Sequence, residues 1–408
     1  MISPPPRSSS RPTRPCTMSI DWEIPLSDVS FDERESKAVL GVLRSGWLTM
    51  GGQVQTFEEE FVEAAGCRHA IAVSSGTAGL HLALLALDIG PGDEVIQPAV
   101  NFIASANMTL AVGAAPVFAD ITALETPTLD PGDVERRITS RTKAVVAMHY
   151  GGFPADVARL RELCRAHDIA LIEDACHAVG AEVEGAGMGS WGAIGAFSFF
   201  SNKNMVTGEG GMVTTGDDSL ADSVRRLRSH GMTTLTWDRH KGHAYSYDVL
   251  RPGFNYRIDE LRAALGRVQL GKLAEFNDRR RKLMEAYRER FAPLEERGWM
   301  LAFRDAPLWP RASSCHLCAA VAPSREVRDA AQRELKSRRI QSSLHYPFIP
   351  AFSAFSEGDE AWRETLTRSE AFCEREITLP LFPAMTESMV ERVLEGVVTS
   401  AKTRQPSR

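Results

Sequence analysis

Residues 144–149 read Ala-Val-Val-Ala-Met-His and residues 170–173 read Ala-Leu-Ile-Glu, two short apolar runs separated by a charged stretch of helical character. Runs this short, apolar without alternation, have the look of strands buried on both faces of a parallel sheet. Glu94 to Gln97, Ala115 to Phe118, Ala196 to Phe200 and Gly211 to Thr214 repeat the pattern on either side. Helical segments lie between several of them. Thr77 to Leu87 is apolar all round, as a buried helix would be, and Ser74-Ser75-Gly76 stands at its start. This alternation, beginning near Phe31, predicts an α/β protein built on a mainly parallel sheet with crossover helices. Beyond Tyr256, residues Ile258 to Phe291 predict a long amphipathic helix leading to a smaller α+β unit. That unit has strands near Ser314 to Val321 and helices near Arg325 to Arg338 and Thr386 to Val397. A chain of 408 residues exceeds the size at which one core keeps growing, so two domains are expected. The expected division is a disordered tail over 1–20, a large domain over 21–265 and a small C-terminal domain over 266–408.

Composition narrows the function classes. With 43% apolar and 25% charged residues the chain reads as globular, and its longest apolar runs, such as Leu82 to Leu87, are too short to span a bilayer. A formal net charge of −6 argues against a nucleic-acid protein, which needs a basic face. Residues 1–17 are Pro, Ser and Arg with almost no apolar content and are read as an unstructured tail, Met18 being a plausible alternative start. The seven cysteines are scattered, which fits no disulfide framework and predicts a reducing, cytoplasmic location. Cys315-His316-Leu317-Cys318 has the spacing of half a zinc site, but no second pair follows, and it is read as core packing. His240 and His243 lack a third convergent ligand, so the segment Thr236 to His243 is read as a loop near a substrate mouth. No metal is expected.

Three segments carry chemistry. In Ser198-Phe-Phe-Ser-Asn-Lys203-Asn-Met-Val-Thr-Gly208-Glu-Gly-Gly211, a lysine follows a buried strand beside a run of glycines. A partly desolvated lysine has a lowered pKa and forms Schiff bases with carbonyl compounds, which is how pyridoxal phosphate (PLP) is held. The bland alternative is a surface lysine in a loop. Upstream, Asp174 closes an apolar strand with His177 three residues on, and such strand ends are where open α/β sheets bind ligands. A carboxylate held against the pyridine nitrogen keeps that ring an electron acceptor, a role Asp174 suits; His177 reads equally well as a ring contact or as packing. Ser74-Ser75-Gly76-Thr77-Ala78 supplies a helix start whose free N–H groups and dipole favour a phosphate. A simple cap is the ordinary reading of that segment alone, but the three segments arrive in the order one PLP site requires.

At these residues the chain resembles the sugar aminotransferase family of fold-type I PLP enzymes, often called DegT/StrS. The resemblance runs from about Trp47 to the last helix, through Gly46-Trp-Leu-Thr-Met-Gly51, SSGTAGLHLAL from Ser74, NFIASAN from Asn101, MHYGGFPAD from Met148, IEDACHAVGA from Ile172, FSFFSNKNMVTGEGGMV from Phe197, GFNYRIDELRAALG from Gly253 and HYPFIPAF from His345. It implies a large domain with a mixed seven-stranded sheet, a smaller C-terminal domain, and a homodimer with both active sites at the interface. It implies Lys203 as the Schiff-base lysine and proton shuttle, Asp174 at the ring nitrogen, His177 by the ring, and Gly76, Thr77 and Ser198 at the phosphate. Phe102 falls where the family stacks an aromatic on the cofactor, with ordinary core packing as the alternative. Asn255 is expected to reach the neighbouring subunit's cofactor phosphate. Trp47, Thr49 and His345 resemble positions that meet the substrate. Ser201 departs from the pattern, since the family most often has proline two residues before the lysine.

The implied activity is transfer of an amino group from glutamate to a keto sugar, by default nucleotide-linked, in amino-sugar biosynthesis; a cyclitol or other antibiotic precursor is the alternative acceptor. Relatives that act as sugar dehydratases replace the lysine by histidine, so Lys203 favours transamination. A PLP-binding regulator is disfavoured because no helix-turn-helix candidate is present.

Overall fold

The structure, a computed structural model, describes residues 21–234, 246–305, 312–355 and 362–402. The segment Thr236 to His243 and the tail over 1–20 therefore lie outside the described residues.

Two helices, α1 (Glu33–Ser45) and α2 (Gly52–Ala65), precede the sheet. The sheet is built from β1 (His69–Val73), β2 (Glu94–Pro98), β3 (Ala115–Ala119), β4 (Thr142–Met148), β5 (Ala170–Asp174), β8 (Ile194–Ser198) and β9 (Gly211–Thr215), with the ribbon β6 (Glu182–Val183) and β7 (Ala186–Gly187) set apart. Its order is β1-β9-β8-β5-β4-β2-β3. The links from β8 across to β3 are parallel, and β9 runs antiparallel to both its neighbours. The mixed seven-stranded sheet is thus present. The six expected strands appear with small shifts; β8 ends at Ser198, so Phe199 and Phe200 already lie beyond the strand.

The crossover helices are α3 (Gly76–Ala86), α4 (Ala104–Ala111), α5 (Pro131–Arg137), α6 (Val157–Ala166) and α7 (Asp218–Leu227). One face of the sheet is covered by α3 and α7, where Leu80, Leu82 and Leu84 pack with Val213, Val224 and Ile194. The other carries α2 and α6, with Phe57 and Phe61 against Phe197 and Phe199. Burial on both faces explains why the strands show no polar alternation.

Helix α8 (Glu260–Arg290) is 31 residues long, started by an Asp259 cap that accepts from Arg262 N–H. Its first half packs on α1 and α2; its second half delivers Leu283, Met284 and Tyr287 to a separate core. That core surrounds the antiparallel sheet β10 (Met300–Leu301), β11 (Cys318–Val321) and β12 (Glu376–Leu379) and the helices Arg325–Ser337 and Glu387–Lys402. Ile24, from before α1, bridges to Ile340 and belongs to this second core.

Candidate active site

The C-terminal ends of β5 and β8 and the start of α3 come to one place because Gly76 has no side chain. A Cβ there would lie 2.9 Å from Cys176 Sγ and 2.9 Å from Ser198 Cβ. Ser75 caps α3 by accepting from Ala78 N–H at 3.1 Å. Gly76 and Thr77 are left with N–H groups that have no intrahelical acceptor, at the positive end of the helix.

Asp174 is buried at the end of β5. Its Oδ2 accepts from Asn101 Nδ2 at 3.2 Å and its Oδ1 from Cys176 N–H at 3.3 Å. Lys203 follows a turn closed by its N–H to Phe200 O at 2.9 Å. Its half-buried side chain forms no ion pair within 4.0 Å among the described residues. Desolvation lowers its amine to about 8, with the nearby Cys176 and Asp174 acting in the opposite sense.

His177 is buried and desolvation holds its pKa well below the ordinary value, so the ring is neutral. Gly151 N–H donates to Nδ1 at 3.3 Å, which leaves the ring proton on Nε2, 2.8 Å from the Tyr346 hydroxyl. The backbone here passes tightly: Gly152 has a φ of +86°, and a Cβ on it would meet Ser314 Oγ at 2.3 Å. Phe102 is 52% exposed, which removes the core-packing alternative for it. Its ring centroid lies 5.8 Å from that of Tyr346.

Tyr256 O accepts from Ser74 N–H at 2.7 Å, so the Gly253-Phe-Asn-Tyr segment runs beside the start of α3, with Asn255 exposed. His345 joins Asn202 and His316 around a small cavity. Trp47 lines a different groove, between α1, α2 and α8. Thr49, exposed, sits in the same Gly46 to Gly51 turn, which Glu260 secures by accepting from the N–H groups of Gly51, Gln53 and Val54 at 2.8–2.9 Å.

The sequence reading did not single out Tyr346 or Asn101 as site residues, although both lie inside motifs quoted from it. His316, read as core packing, is buried and donates from Nδ1 to Asn204 Oδ1 at 3.0 Å, because the Asn204 amide nitrogen is committed to Asn277 Oδ1 and Ser314 O.

The set has the chemistry that PLP requires: an amine of lowered pKa, a buried carboxylate, helix-start N–H groups in a cradle that a single Cβ would fill, and an exposed aromatic face. Residues 29–398 match the DegT/DnrJ/EryC1/StrS aminotransferase family. Among solved structures, the chain is similar to the putative sugar aminotransferase Spr1654 of Streptococcus pneumoniae in its PMP form (28% identity, 93% of this chain and 99% of that one, TM-score 0.85). It is also similar to DesV of S. venezuelae, solved with a ketimine intermediate (34% identity, 94% and 99% covered, TM-score 0.83). A third is DesI, solved in the presence of its TDP-sugar product (30% identity, 95% of each chain, TM-score 0.82). The lysine and carboxylate at the strand ends and the match across nearly the whole chain lead to one conclusion: the protein belongs to the DegT/DnrJ/EryC1/StrS family and is a PLP-dependent aminotransferase.

Proposed function

We propose that this enzyme moves an amino group from glutamate to a nucleotide-linked keto sugar in amino-sugar biosynthesis, with its cofactor on Lys203. The observation that carries this reading is the convergence of a Lys203 amine lowered to about 8, the Asp174 carboxylate and the Gly76–Thr77 helix start. Similarity to a sugar aminotransferase and to an enzyme solved with a TDP-sugar supports the acceptor class.

PLP when bound supplies an electron sink for the carbanion formed at the donor's α carbon. The protein does the rest. Asp174 would hold the pyridine nitrogen protonated, its carboxylate oriented by Asn101. Gly76, Thr77 and Ser198 would take the phosphate, Phe102 would cover one ring face, and His177, with its proton on Nε2, would stand beside the ring. Lys203 Nζ takes the α proton of the donor and later returns a proton to the sugar carbon that carries the new amine. His345, Trp47 and Thr49 meet the substrate. Asn255, exposed beside α3, reaches the cofactor phosphate of a second copy, so the working form is a homodimer. The free cysteines fit a cytoplasmic enzyme, and among the described residues no helix is long and apolar enough to cross a membrane.

The test is the absorption spectrum of the purified holoenzyme before and after glutamate, repeated with Lys203→Ala. The expected result is a Schiff-base band that glutamate converts to a pyridoxamine-type band, and no such band in the variant. A cofactor indifferent to every amino donor, with removal of a hydroxyl from a keto sugar instead, would overturn the transaminase reading in favour of a dehydratase.

A further inference from the structure

Glu376 opens β12 in the second core. It is buried, and no ion pair within 4.0 Å neutralises it among the described residues. It has two hydrogen-bond neighbours. Oε2 accepts from the main-chain N–H of His345 at 2.8 Å, while Oε1 faces Thr378 Oγ1. Thr378 Oγ1 in turn stands 2.8 Å from His345 Nδ1. Thr378 is itself held by main-chain bonds to Ser343 in both directions, at 2.8 and 3.2 Å. His345 therefore has one ring nitrogen left for other partners, Nε2. The ring lines a cavity of about 20 Å³ with Asn202, the residue before Lys203, and with His316. That volume takes one oxygen atom of a ligand or a water. Because Asn204 holds the His316 proton on Nδ1, His316 offers only a lone pair at Nε2, and that atom has no protein partner.

Each hydroxyl in this chain has one proton to donate, so the arrangement has two registers. With Glu376 ionised, Thr378 donates to the carboxylate and accepts from His345 Nδ1–H, and His345 Nε2 presents a lone pair. With Glu376 protonated on Oε1, the carboxyl donates to Thr378, Thr378 donates to His345 Nδ1, and Nε2 presents a proton. Oε1 is the oxygen that carries the proton, because it faces an acceptor in Thr378 Oγ1, whereas Oε2 faces the His345 N–H donor.

We propose that Glu376 is a positioning residue for the acceptor: through Thr378 it sets whether His345 Nε2 donates or accepts a hydrogen bond at the cavity that Asn202 and His316 line with it. This rests on the reading above that His345 meets the sugar. A keto sugar presents a carbonyl oxygen, which only a donor recognises, so the protonated register is the one that binds the acceptor.

The register changes in an accessible pH range. Burial raises the Glu376 carboxyl to about 8. The groups facing it stay as they are there: burial pushes the Tyr150 and Tyr346 phenols and the Cys318 and Cys373 thiols up, and Arg328 donates to the Glu376 main-chain carbonyl at 3.4 Å. Around His345, burial keeps all three imidazoles neutral, His345 itself being lowered to about 4. The free amine of Lys203 is also lowered to about 8, and Lys203 serves donor and acceptor alike.

The test uses the full-length holoenzyme and two readouts. In ¹⁵N-histidine-labelled protein, with His345 assigned through His345→Gln, wild type is expected to move its ring proton from Nε2 to Nδ1 between pH 7 and 9.5. Glu376→Gln, whose amide donates to Thr378 permanently, should keep it on Nε2. In steady-state kinetics, the wild-type KM for the keto acceptor should rise about tenfold over that range beyond any change in the glutamate half-reaction, while Glu376→Gln stays flat. Thr378→Val should abolish the dependence and Thr378→Ser restore it. A His345 tautomer that ignores both Glu376 and pH would overturn the relay. A tautomer that switches while the acceptor KM does not would overturn the acceptor role. Loss of the glutamate half-reaction, by contrast, sinks the aminotransferase reading and leaves the tautomer result standing on its own.

Discussion

The Tyr346 hydroxyl stands 2.8 Å from Nε2 of His177, tying the segment that follows the helix Arg325–Ser337 to the residues just past the end of β5. Gly151 N–H occupies Nδ1, so Nε2–H donates to Tyr346. Removing the hydroxyl would strand a buried donor, which costs about 1–3 kcal/mol. Tyr346→Phe is therefore expected to lower the unfolding free energy by that amount in urea denaturation. In a double-mutant cycle with His177→Ala, the two losses should fail to add by about 1–2 kcal/mol. Additive losses would mean that the contact carries no coupling.

Lys203 leads to a pH prediction whose direction is settled by desolvation. With the amine at about 8, roughly a tenth is free base at pH 7, against about 0.03% for a lysine at its ordinary 10.5. Only the free base attacks an aldehyde, so the rate at which apoprotein captures PLP should rise with pH and level off just above 8. Stopped-flow absorbance measures this. A rate still climbing steeply at pH 10 would show that the amine is not depressed.

Glu173, next to Asp174 on β5, points to the opposite face. Its Oε1 accepts from the N–H groups of Trp191 and Gly192, each at 2.7 Å. Its Oε2 accepts from Gly189 N–H at 2.7 Å and from His149 Nε2 at 3.1 Å, since His149 Nδ1 is taken by Ala155 N–H. All four partners are donors. Glu173→Gln turns an amide NH₂ toward two of them and is expected to destabilise the protein by about 2–4 kcal/mol, read as a drop in the chemical denaturation midpoint. Capture of PLP by the variant that still folds should persist, because the carboxylate facing the site belongs to Asp174.

The strands nearest the site were legible because burial on both faces leaves an unmistakable apolar run. The strand β1, His69-Ala-Ile-Ala-Val73, was not: five residues headed by a histidine give too weak a signal, and what makes it a strand is antiparallel pairing with β9, far along the chain. The end of β8 was read two residues late for a related reason. Phe199 and Phe200 look like strand, and Phe199 N–H still reaches Gly210 O one step past the Ser198–Gly211 pair, but the regular ladder stops there and the chain enters the glycine-rich loop that carries Lys203.

Local pattern sufficed for the α/β class, for α3 and for α8, and the order of lysine, carboxylate and helix start was readable because each depends on residue type at a strand end or cap. What the amino acids in order did not show was the company each group keeps. That Gly76 must lack a side chain to seat α3 on Cys176 and Ser198, that Tyr346 meets His177, and that Glu376 speaks to His345 through Thr378 are contacts between segments distant in the chain. Short-range periodicity records which face of an element is buried; only packing two cores against one long helix decides which buried polar atoms share a proton.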